Sequence, residues 1–416
     1  MRVTSALLGA ACAGLLGLGP APPASAEENP ACASVDGDSP VDRVTLESPV
    51  LAALDVGRAQ QLVERDAPPT GRPVAVAVLD SGVTGPAIPV AGRYAGGTGP
   101  RTVTYYHGTA VAGLIAGRRD GDRPVGIAPD AEIIDVRVYD DVDPARGATV
   151  RSEAVAAGLR WVVGHADDLG IRIANVSLAV EDSDELARAV RAARRAGIVV
   201  VAAAGNRPRD GEPFDDDFAD TEPGAGEDAA TVLFPTGYAG VVTASSTADG
   251  SGEADATPYV LMNSHTTVAV PTFGAISYGL NGAPCVLDPI ATSWAAAEVS
   301  GVLALLWQRY PHDTDEQVVA RLVNAATGTP DDPTPLTGAG VVQVLESLTR
   351  PLDPARSGEV ERTVATDRDT APAVAPAPEV DPLSATREDA VWWGLIGGGV
   401  LVVALLLRPV LARRRG

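Results

Sequence analysis

Four continuous apolar segments, separated by helical patterns, constrain the fold more than any other feature of the sequence. They are VAVAVLD (74–80), EIIDVRVYD (132–140), RIANVSLAV (172–180) and IVVVAAAG (198–205). An unbroken apolar run, rather than an alternating one, is typical of a strand in a parallel sheet that is covered on both faces. Strands that alternate with helices form βαβ units. The sequence therefore predicts an α/β fold with a central, mainly parallel sheet.

The segment between the last two apolar runs carries the signals of a helix. It contains DSDELARAVRAARRAG, in which Asp182 can cap the first turn and Glu185 follows three residues later. Gly197 can end the helix, because glycine adopts the left-handed conformation that closes many helices. We predict a helix over this segment, which completes one βαβ unit.

Polar residues stand at the boundaries of the predicted elements. Asp80 ends the first apolar run, Asn206 follows the fourth, His107 opens HGTAVAGLIAG, and Ser293 lies at the start of an apolar helical segment that continues to Pro311. Each of the four alone is explained as a turn, capping or satisfied polar residue. Ligands in open α/β sheets bind beyond the carboxyl ends of the strands, so the four together indicate a site. Their chain order, Asp, His, Asn, Ser, is that of subtilisin.

Five motifs resemble those of subtilisin-like serine proteases. They are VLDSGV, HGTAVAGLIAG, NVSLAV, AAAGN and ATSWAAAEVSG, and the resemblance spans residues 71–345. It implies a three-layer subtilisin-like fold. It also implies an enzyme that hydrolyses a protein or peptide substrate without a cofactor. By position, Asp80, His107 and Ser293 match the catalytic triad, and Asn206 matches the asparagine of the oxyanion hole.

The chemistry explains why these residue types occur together. A serine hydroxyl attacks an amide only when a base takes its proton, and His107 is the candidate base. Asp80 is expected to hold the imidazole in one tautomer, and Asn206 to donate to the developing oxyanion. The backbone N–H of Ser293, at the start of a helix, is expected to be a second donor, so that Ser293 is both helix cap and nucleophile.

Two positions depart from the family pattern and keep a second function open. Ala291 replaces the usual glycine before Thr-Ser, and Ala297 replaces the usual proline. If position 291 requires a positive φ, alanine there strains the turn by roughly 1–2 kcal/mol. The chain is therefore predicted to be a serine endopeptidase, with a catalytically weakened scaffold that stabilises a membrane secretion complex as the alternative.

The two ends of the chain indicate export and membrane attachment. Residues 1–26 contain Arg2, an apolar run and Ala24-Ser25-Ala26, the pattern of a cleaved signal peptide. Residues 391–412 are apolar over a length that crosses a bilayer, which needs roughly 20 helical residues. The arginines of residues 413–416 are expected on the cytoplasmic side. The catalytic domain is thus predicted on the extracytoplasmic face, held by a single-pass helix.

Composition divides the rest of the chain into three parts. We assign an N-terminal extension to residues 27–70, one peptidase domain to residues 71–350, and a linker rich in proline, alanine and charge to residues 351–390. The signal peptide, extension and C-terminal helix resemble those of the mycosins, the membrane-anchored proteases of type VII secretion systems. HGTAVAG and the aromatic residue after Ser293 also resemble mycosin motifs. The resemblance implies association with type VII secretion machinery.

Charge, cysteines and histidines limit the remaining functions. The formal net charge of −22 disfavours nucleic-acid binding. After loss of the signal peptide only Cys32 and Cys285 remain, and in an exported protein we predict that they pair; free buried thiols are the alternative. His165, His265 and His312 lack the spacing of metal ligands, so no metal is predicted. The acidic segment 207–228 follows Asn206 and is either a solvated insertion or a calcium site, and it lies where it can select basic substrates.

Overall fold

A computed structural model describes residues 29–41, 47–66, 74–96, 102–141, 149–208, 226–250, 255–361 and 384–412, together with 212, 214, 216–218 and 223–224. The predicted signal peptide (1–26) and cytoplasmic tail (413–416) lie outside the described residues, as do parts of the extension, the acidic segment and the linker. The chain forms two compact units, Met1–Glu361 and Arg362–Gly416.

The first unit is built on a seven-stranded sheet in which every pair of neighbouring strands is parallel. Its strand order is β2-β3-β1-β4-β5-β6-β7. The strands are β1 (Ala75–Asp80), β2 (Val90–Ala95), β3 (Glu132–Arg137), β4 (Ile171–Val176), β5 (Val199–Ala203), β6 (Val242–Thr247) and β7 (Thr266–Pro271). An antiparallel hairpin of β8 (Ala275–Tyr278) and β9 (Pro284–Leu287) follows. The predicted parallel sheet is confirmed, and the four apolar runs are β1, β3, β4 and β5.

Helices cover both faces of the sheet. They are α1 (Pro49–Ala53), α2 (Val56–Asp66), α3 (His107–Ala116), α4 (Ser152–Leu169), α5 (Asp184–Arg195), α6 (Thr292–Arg309), α7 (Asp315–Asn324) and α8 (Val344–Thr349). Helices α3 and α6 pack together on one face, and α4 packs against α5 on the other. These three layers explain why the central strands are apolar on both faces.

The helix predicted between the last two apolar runs is α5, with one correction at its start. Ser183, not Asp182, is the N-cap, and its hydroxyl accepts a hydrogen bond from the amide of Leu186. Asp182 instead accepts a hydrogen bond from the hydroxyl of Tyr238. Gly197 follows the helix with a φ of 70°, as predicted for a glycine that ends a helix.

The N-terminal extension is joined covalently to the hairpin. Cys32, in a short 3₁₀ helix, and Cys285, in β9, form a disulfide with a Cα–Cα distance of 4.9 Å, so the predicted pairing is confirmed. Beside it, the Val286 amide donates to the carbonyl oxygen of Pro30. In α2, the Gln60 side chain donates to the carbonyl oxygens of Gly126 and Ile127. The extension is therefore packed into the domain.

The compact unit extends beyond residue 350, where composition placed the end of the domain. Residues 351–361 run along α7 and accept hydrogen bonds from it: Arg321 donates to the carbonyl of Leu352, and Gln317 to that of Pro354. Proline and charge in this segment indicate a linker, but its backbone carbonyls have donors on α7.

The second unit contains one long helix, α9 (Ser384–Ala412), which begins before the predicted residue 391. Its segment Asp389–Arg408 has a mean hydropathy of 2.2. Its 20 residues match the thickness of a bilayer's hydrocarbon core. Among the described residues it is the one helix that is long and apolar enough to cross a membrane.

Helix α6 contains a carboxyl group with no hydrogen-bonding partner. Glu298 is fully buried, and neither of its carboxylate oxygens has a partner within the part of the chain that is described. Burial raises the pKa of Glu298 well above its usual value of 4.5. The carboxyl is therefore neutral in the folded protein at pH values where the unfolded chain carries it as an anion.

Replacement of Glu298 by glutamine should change how stability depends on pH. A carboxyl with a raised folded pKa binds a proton that the unfolded chain releases, so the wild-type protein loses stability as pH rises above about 4.5. Relative to Glu298→Gln, the loss should approach roughly 1.4 kcal/mol for each pH unit until the folded pKa is reached. Urea denaturation at pH 5 and pH 7 measures the difference. The exposed Glu346→Gln is the control, and a Glu298→Gln difference that stays constant with pH would contradict the prediction.

Candidate active site

The alternation of side chains along β1 directs Asp80 toward the layer of α3 and α6. Val76 and Val78 belong to the core on that side, whereas Ala77 and Leu79 belong to the core beneath α4 and α5. Side chains two residues apart on a strand share a face, so Asp80 follows Val76 and Val78. Its carboxylate is fully buried at the carboxyl end of the strand.

His107 is the first residue of α3, and the helix lies against the end of β1 at close range. A Cβ atom at Gly108 would lie 2.6 Å from the carbonyl oxygen of Gly82 and 3.0 Å from the Cβ of Asp80, so only glycine permits this approach. The result is that His107 Nδ1 lies 2.9 Å from both carboxylate oxygens of Asp80. This contact fixes the proton on Nδ1 and leaves Nε2 as an acceptor.

The Asp80 carboxylate has two further donors, neither of which the sequence indicated. The amide of Ser81 donates to Oδ1 at 2.7 Å, and the hydroxyl of Tyr139 donates to the same oxygen at 2.9 Å. The hydroxyl of Ser81 accepts from the amide of Gly108 at 3.0 Å, which joins β1 to the start of α3. The buried carboxylate is thereby compensated by the imidazole and by hydrogen bonds from Ser81 and Tyr139.

Two aromatic rings flank the imidazole, Trp294 from α6 and Tyr105 from the segment before α3. The ring centroid of Trp294 lies 4.9 Å from that of His107, and the ring of Tyr105 stacks at 6.2 Å with an interplanar angle of 14°. Trp294 is the residue after Ser293, so this contact brings the start of α6 next to His107. Rings at this range limit the rotation of the imidazole.

Ser293 is the second residue of α6, not its cap as predicted. The N-cap is Ala291, whose φ of −152° is extended backbone, so alanine fits there without the strain that a positive φ would cause. The Ser293 hydroxyl donates to the carbonyl oxygen of Ser177 at 3.1 Å, and the Ser177 hydroxyl donates to the Ser293 carbonyl at 2.8 Å. No hydrogen bond joins Ser293 to His107 among the contacts of the described residues. The expected hydrogen bond from serine to histidine is therefore not formed here, whereas that from histidine to aspartate is.

Asn206 is held at the start of α6 by its amide oxygen. Its Oδ1 accepts hydrogen bonds from the backbone N–H of Thr292 at 2.8 Å and from the Thr292 hydroxyl at 3.0 Å. Since both partners are donors, the oxygen must face them, and Nδ2, for which no partner occurs among the described residues, is left as a donor. The preceding Gly205 has a φ of 126°, a conformation that favours glycine, and it turns the chain out of β5.

A groove of about 1280 Å³ opens beside these residues. Its lining includes His107, Ser177 and Asn206, together with residues from the first half of the acidic segment. The carboxylates that line it are Glu153, Glu181, Asp182, Glu212, Asp216 and Asp217. Two arginines also line it, and one of them, Arg207, is paired with the buried Glu227 at 3.0 Å. The described lining is therefore negatively charged.

Two of the histidines outside this site contact backbone carbonyl oxygens. His165 Nδ1 lies 2.8 Å from the carbonyl oxygen of Trp161, and His265 Nδ1 lies 2.9 Å from that of Thr236. In the acidic segment, the Asp228 carboxylate accepts hydrogen bonds from Ser264. These contacts are structural.

Comparison with known proteins identifies the family. The model of the subtilase family matches residues 71–343. Mycosin-1 of Mycobacterium tuberculosis (strain ATCC 25618 / H37Rv) is 32% identical over 380 residues, which cover 83% of this chain and 82% of that protein. The chain belongs to the mycosin group of the subtilase family. As a subtilase it is a serine protease, and the resemblance noted in its motifs is confirmed.

Solved structures of other mycosins share the fold of this subtilase. The crystal structure of MycP1 from the ESX-1 type VII secretion system has 25% identity and a TM-score of 0.59, and the match covers 78% of this chain and 92% of that one. The structure of the MycP3 protease from the type VII (ESX-3) secretion system has 28% identity and a TM-score of 0.56, with coverage of 74% and 91%. The predicted subtilisin-like three-layer fold is thus confirmed.

The negative groove of this subtilase should favour positively charged substrates. A peptide with arginine near the cleaved bond should have a kcat/KM about tenfold above its glutamate counterpart at low salt, because the groove attracts cations, and added salt should reduce the ratio. Asp217→Asn should lower the ratio, whereas Asp332→Asn, an exposed change outside the groove, should not. Equal kcat/KM values for both peptides, without salt dependence, would exclude charge selection.

Proposed function

We propose that this subtilase is a membrane-anchored serine endopeptidase with Asp80, His107 and Ser293 as its catalytic triad. The observation that carries the proposal is the contact between His107 Nδ1 and the buried Asp80 carboxylate, 2.9 Å from each oxygen. It leaves Nε2 free to accept a proton beside the start of α6. The same geometry stabilises an imidazolium once the proton has been accepted.

The reaction proceeds through two proton transfers by the same nitrogen. His107 Nε2 takes the hydroxyl proton of Ser293 as Oγ bonds to the substrate's carbonyl carbon, and the carbonyl oxygen becomes an oxyanion. His107 then gives that proton to the leaving amine, and the C–N bond breaks to leave an acyl-enzyme. Water hydrolyses the ester by the same steps, with His107 again as base.

Two donors suit the oxyanion. Asn206 Nδ2 remains available as a donor, because Thr292 engages the amide oxygen of Asn206 with two hydrogen bonds. The backbone N–H of Ser293 lies in the first turn of α6, where amide groups have no acceptor within the helix. Loss of a side-chain donor of this kind costs about 2.7–4 kcal/mol of barrier in subtilisin, an established example.

The position of the Ser293 hydroxyl implies a change of partner before reaction. In the structure it donates to the Ser177 carbonyl at 3.1 Å. Rotation about its Cα–Cβ bond redirects the hydroxyl without any movement of α6. Hydrogen bonds of catalytic serines often tighten only when the substrate is bound, so the resting contact is compatible with catalysis.

A fluorophosphonate probe should label the full-length protein, and Ser293→Ala should abolish the labelling, because the probe bonds to the oxygen of an activated serine. Peptide hydrolysis by Ser293→Ala should fall by roughly 10⁴-fold or more. The matched control is Ser347→Ala, which removes another buried hydroxyl that donates to a carbonyl oxygen. Absence of labelling in the folded wild-type protein would favour the scaffold function, and labelling of Ser293→Ala would place the nucleophile elsewhere.

Helix α9 is the proposed anchor. Its 20-residue apolar segment is followed by the arginines of the C-terminal tail, which favour the cytoplasmic side by the positive-inside rule. The peptidase domain then lies on the extracytoplasmic side, which agrees with the signal-like sequence at residues 1–26. Two related structures are described as proteins from type VII secretion systems, which supports an association of this chain with such a system.

Truncation after Glu361 tests the anchor separately from catalysis. The truncated protein should hydrolyse a small soluble peptide at the wild-type rate, because the compact unit ends at Glu361. Secretion by the host should nevertheless fall, because the tether raises the local concentration of the domain at its membrane. Full-length Ser293→Ala is the complementary variant, tethered but inactive. Full secretion with the truncated protein would exclude a role for the anchor.

A further inference from the structure

The hydroxyl of Tyr139 is a third contact of the candidate triad. It donates to Oδ1 of Asp80 at 2.9 Å and lies 3.5 Å from Nδ1 of His107. Tyr139 is 8% exposed, so the contact is shielded from water. The backbone positions it: the amide of Val138, just beyond the end of β3, donates to the carbonyl oxygen of Asp80 at 2.9 Å.

The hydrogen bond from Tyr139 matters because the Asp80 carboxylate has only two other partners among the described residues, His107 and the Ser81 amide. Oδ2 accepts only from His107, whereas Oδ1 accepts from His107, the Ser81 amide and Tyr139, as far as the described residues extend. The Ser81 amide belongs to the adjoining peptide, and His107 is the group to be oriented. Tyr139 is therefore the one donor from a separate strand that fixes the plane of the carboxylate.

We propose that Tyr139 is a positioning residue of the catalytic site, which orients the Asp80 carboxylate toward His107 and limits the negative charge that Asp80 presents to the imidazolium. The proposal rests on the proposed triad. A donor to a carboxylate stabilises its charge and so weakens the carboxylate as an acceptor for the imidazole. Tyr139 thus acts on the acidity of the base through Asp80.

Burial raises the pKa of Tyr139 well above its usual value, so its hydroxyl remains a donor throughout the range in which the enzyme is assayed. The other charged or titratable groups near the pair are Tyr105 and Tyr106 before α3; Asp135, Arg137, Asp140 and Asp141 on and after β3; and Glu212 in the groove. Arg137 is paired with Asp140 at 2.8 Å. Removal of the Tyr139 hydroxyl leaves all of these groups unchanged in number and charge.

The test is Tyr139→Phe in the full-length protein, which removes one oxygen atom and keeps the ring. We expect kcat to fall about tenfold with KM within about twofold, as for loss of a hydrogen bond to a charged group. We also expect the acid limb of the pH profile of kcat/KM to move upward by about half a unit, since a less compensated carboxylate holds the imidazolium more strongly. Replacement of Tyr139 by 3-fluorotyrosine has the opposite effect on the hydrogen bond, because its hydroxyl is a stronger donor. It should move the acid limb of the kcat/KM profile to lower pH.

Tyr278→Phe is the matched control. Its hydroxyl is also buried and donates to the carbonyl oxygen of Arg118 at 2.6 Å, but Tyr278 lies in β8 and makes no contact with the triad. It should reduce stability as a buried hydrogen-bond deletion does and leave the pH profile unchanged. If Tyr139→Phe matches Tyr278→Phe in both kcat and pH profile, Tyr139 has only a packing role and the proposal is overturned.

A second measurement keeps the result independent of activity. The chain has four histidines, so the titration of His107 can be followed by NMR of imidazole-labelled protein. The midpoint of this titration should rise in the Tyr139→Phe variant and fall in the 3-fluorotyrosine protein. The 3-fluorotyrosine protein keeps the hydroxyl, so it still tests the proposal if the phenylalanine variant fails to fold. An inactive, unlabelled wild-type protein would refute the proposed function, whereas unchanged midpoints would refute the role of Tyr139 alone.

Discussion

The burial of one negative charge organises the carboxyl edge of the sheet. Asp80 has no access to solvent, so its carboxylate requires donors, and each donor comes from a different place in the chain. His107 reaches it because α3 begins against β1, and α3 can begin there because Gly108 has no side chain. Tyr139 reaches it because β3 continues the backbone pairing of β1 past the last strand residue. The need to satisfy this carboxylate thus links β1, α3 and β3.

The sequence predicted the centre of the fold better than its edges. Strands β1, β3, β4 and β5 are recognisable because burial on both faces requires continuous apolar runs. Strand β6 is equally buried but has the sequence VTASST, whose hydroxyl-bearing residues interrupt the apolar pattern, so no apolar run marks it. Strand β2 alternates between half-buried and exposed residues and lies at an edge. Strand order is set by packing between distant segments, which local patterns do not encode.

The site shows the same division. Motif order singled out Asp80, His107, Asn206 and Ser293 as the candidate residues, because the chemistry of each residue type restricts where it can stand. Tyr139 was not predicted, since a tyrosine at the end of an apolar run has the composition of an ordinary core residue. Its contact with Asp80 depends on the pairing of β1 with β3, which the sequence does not specify. The orientation of Ser293 toward Ser177 was likewise not encoded in the motif, because a serine side chain has several rotamers of similar energy.

The disulfide also changes the topology of the molecule. Cys32 and Cys285 close the backbone between them into a covalent ring, and Asp80, His107 and Asn206 all lie within it, whereas Ser293 lies just outside. A single cut anywhere inside the ring opens it but does not release a fragment. Under oxidising conditions a protein cut once inside the ring therefore remains one covalently linked molecule. Its two pieces separate only after the disulfide is reduced.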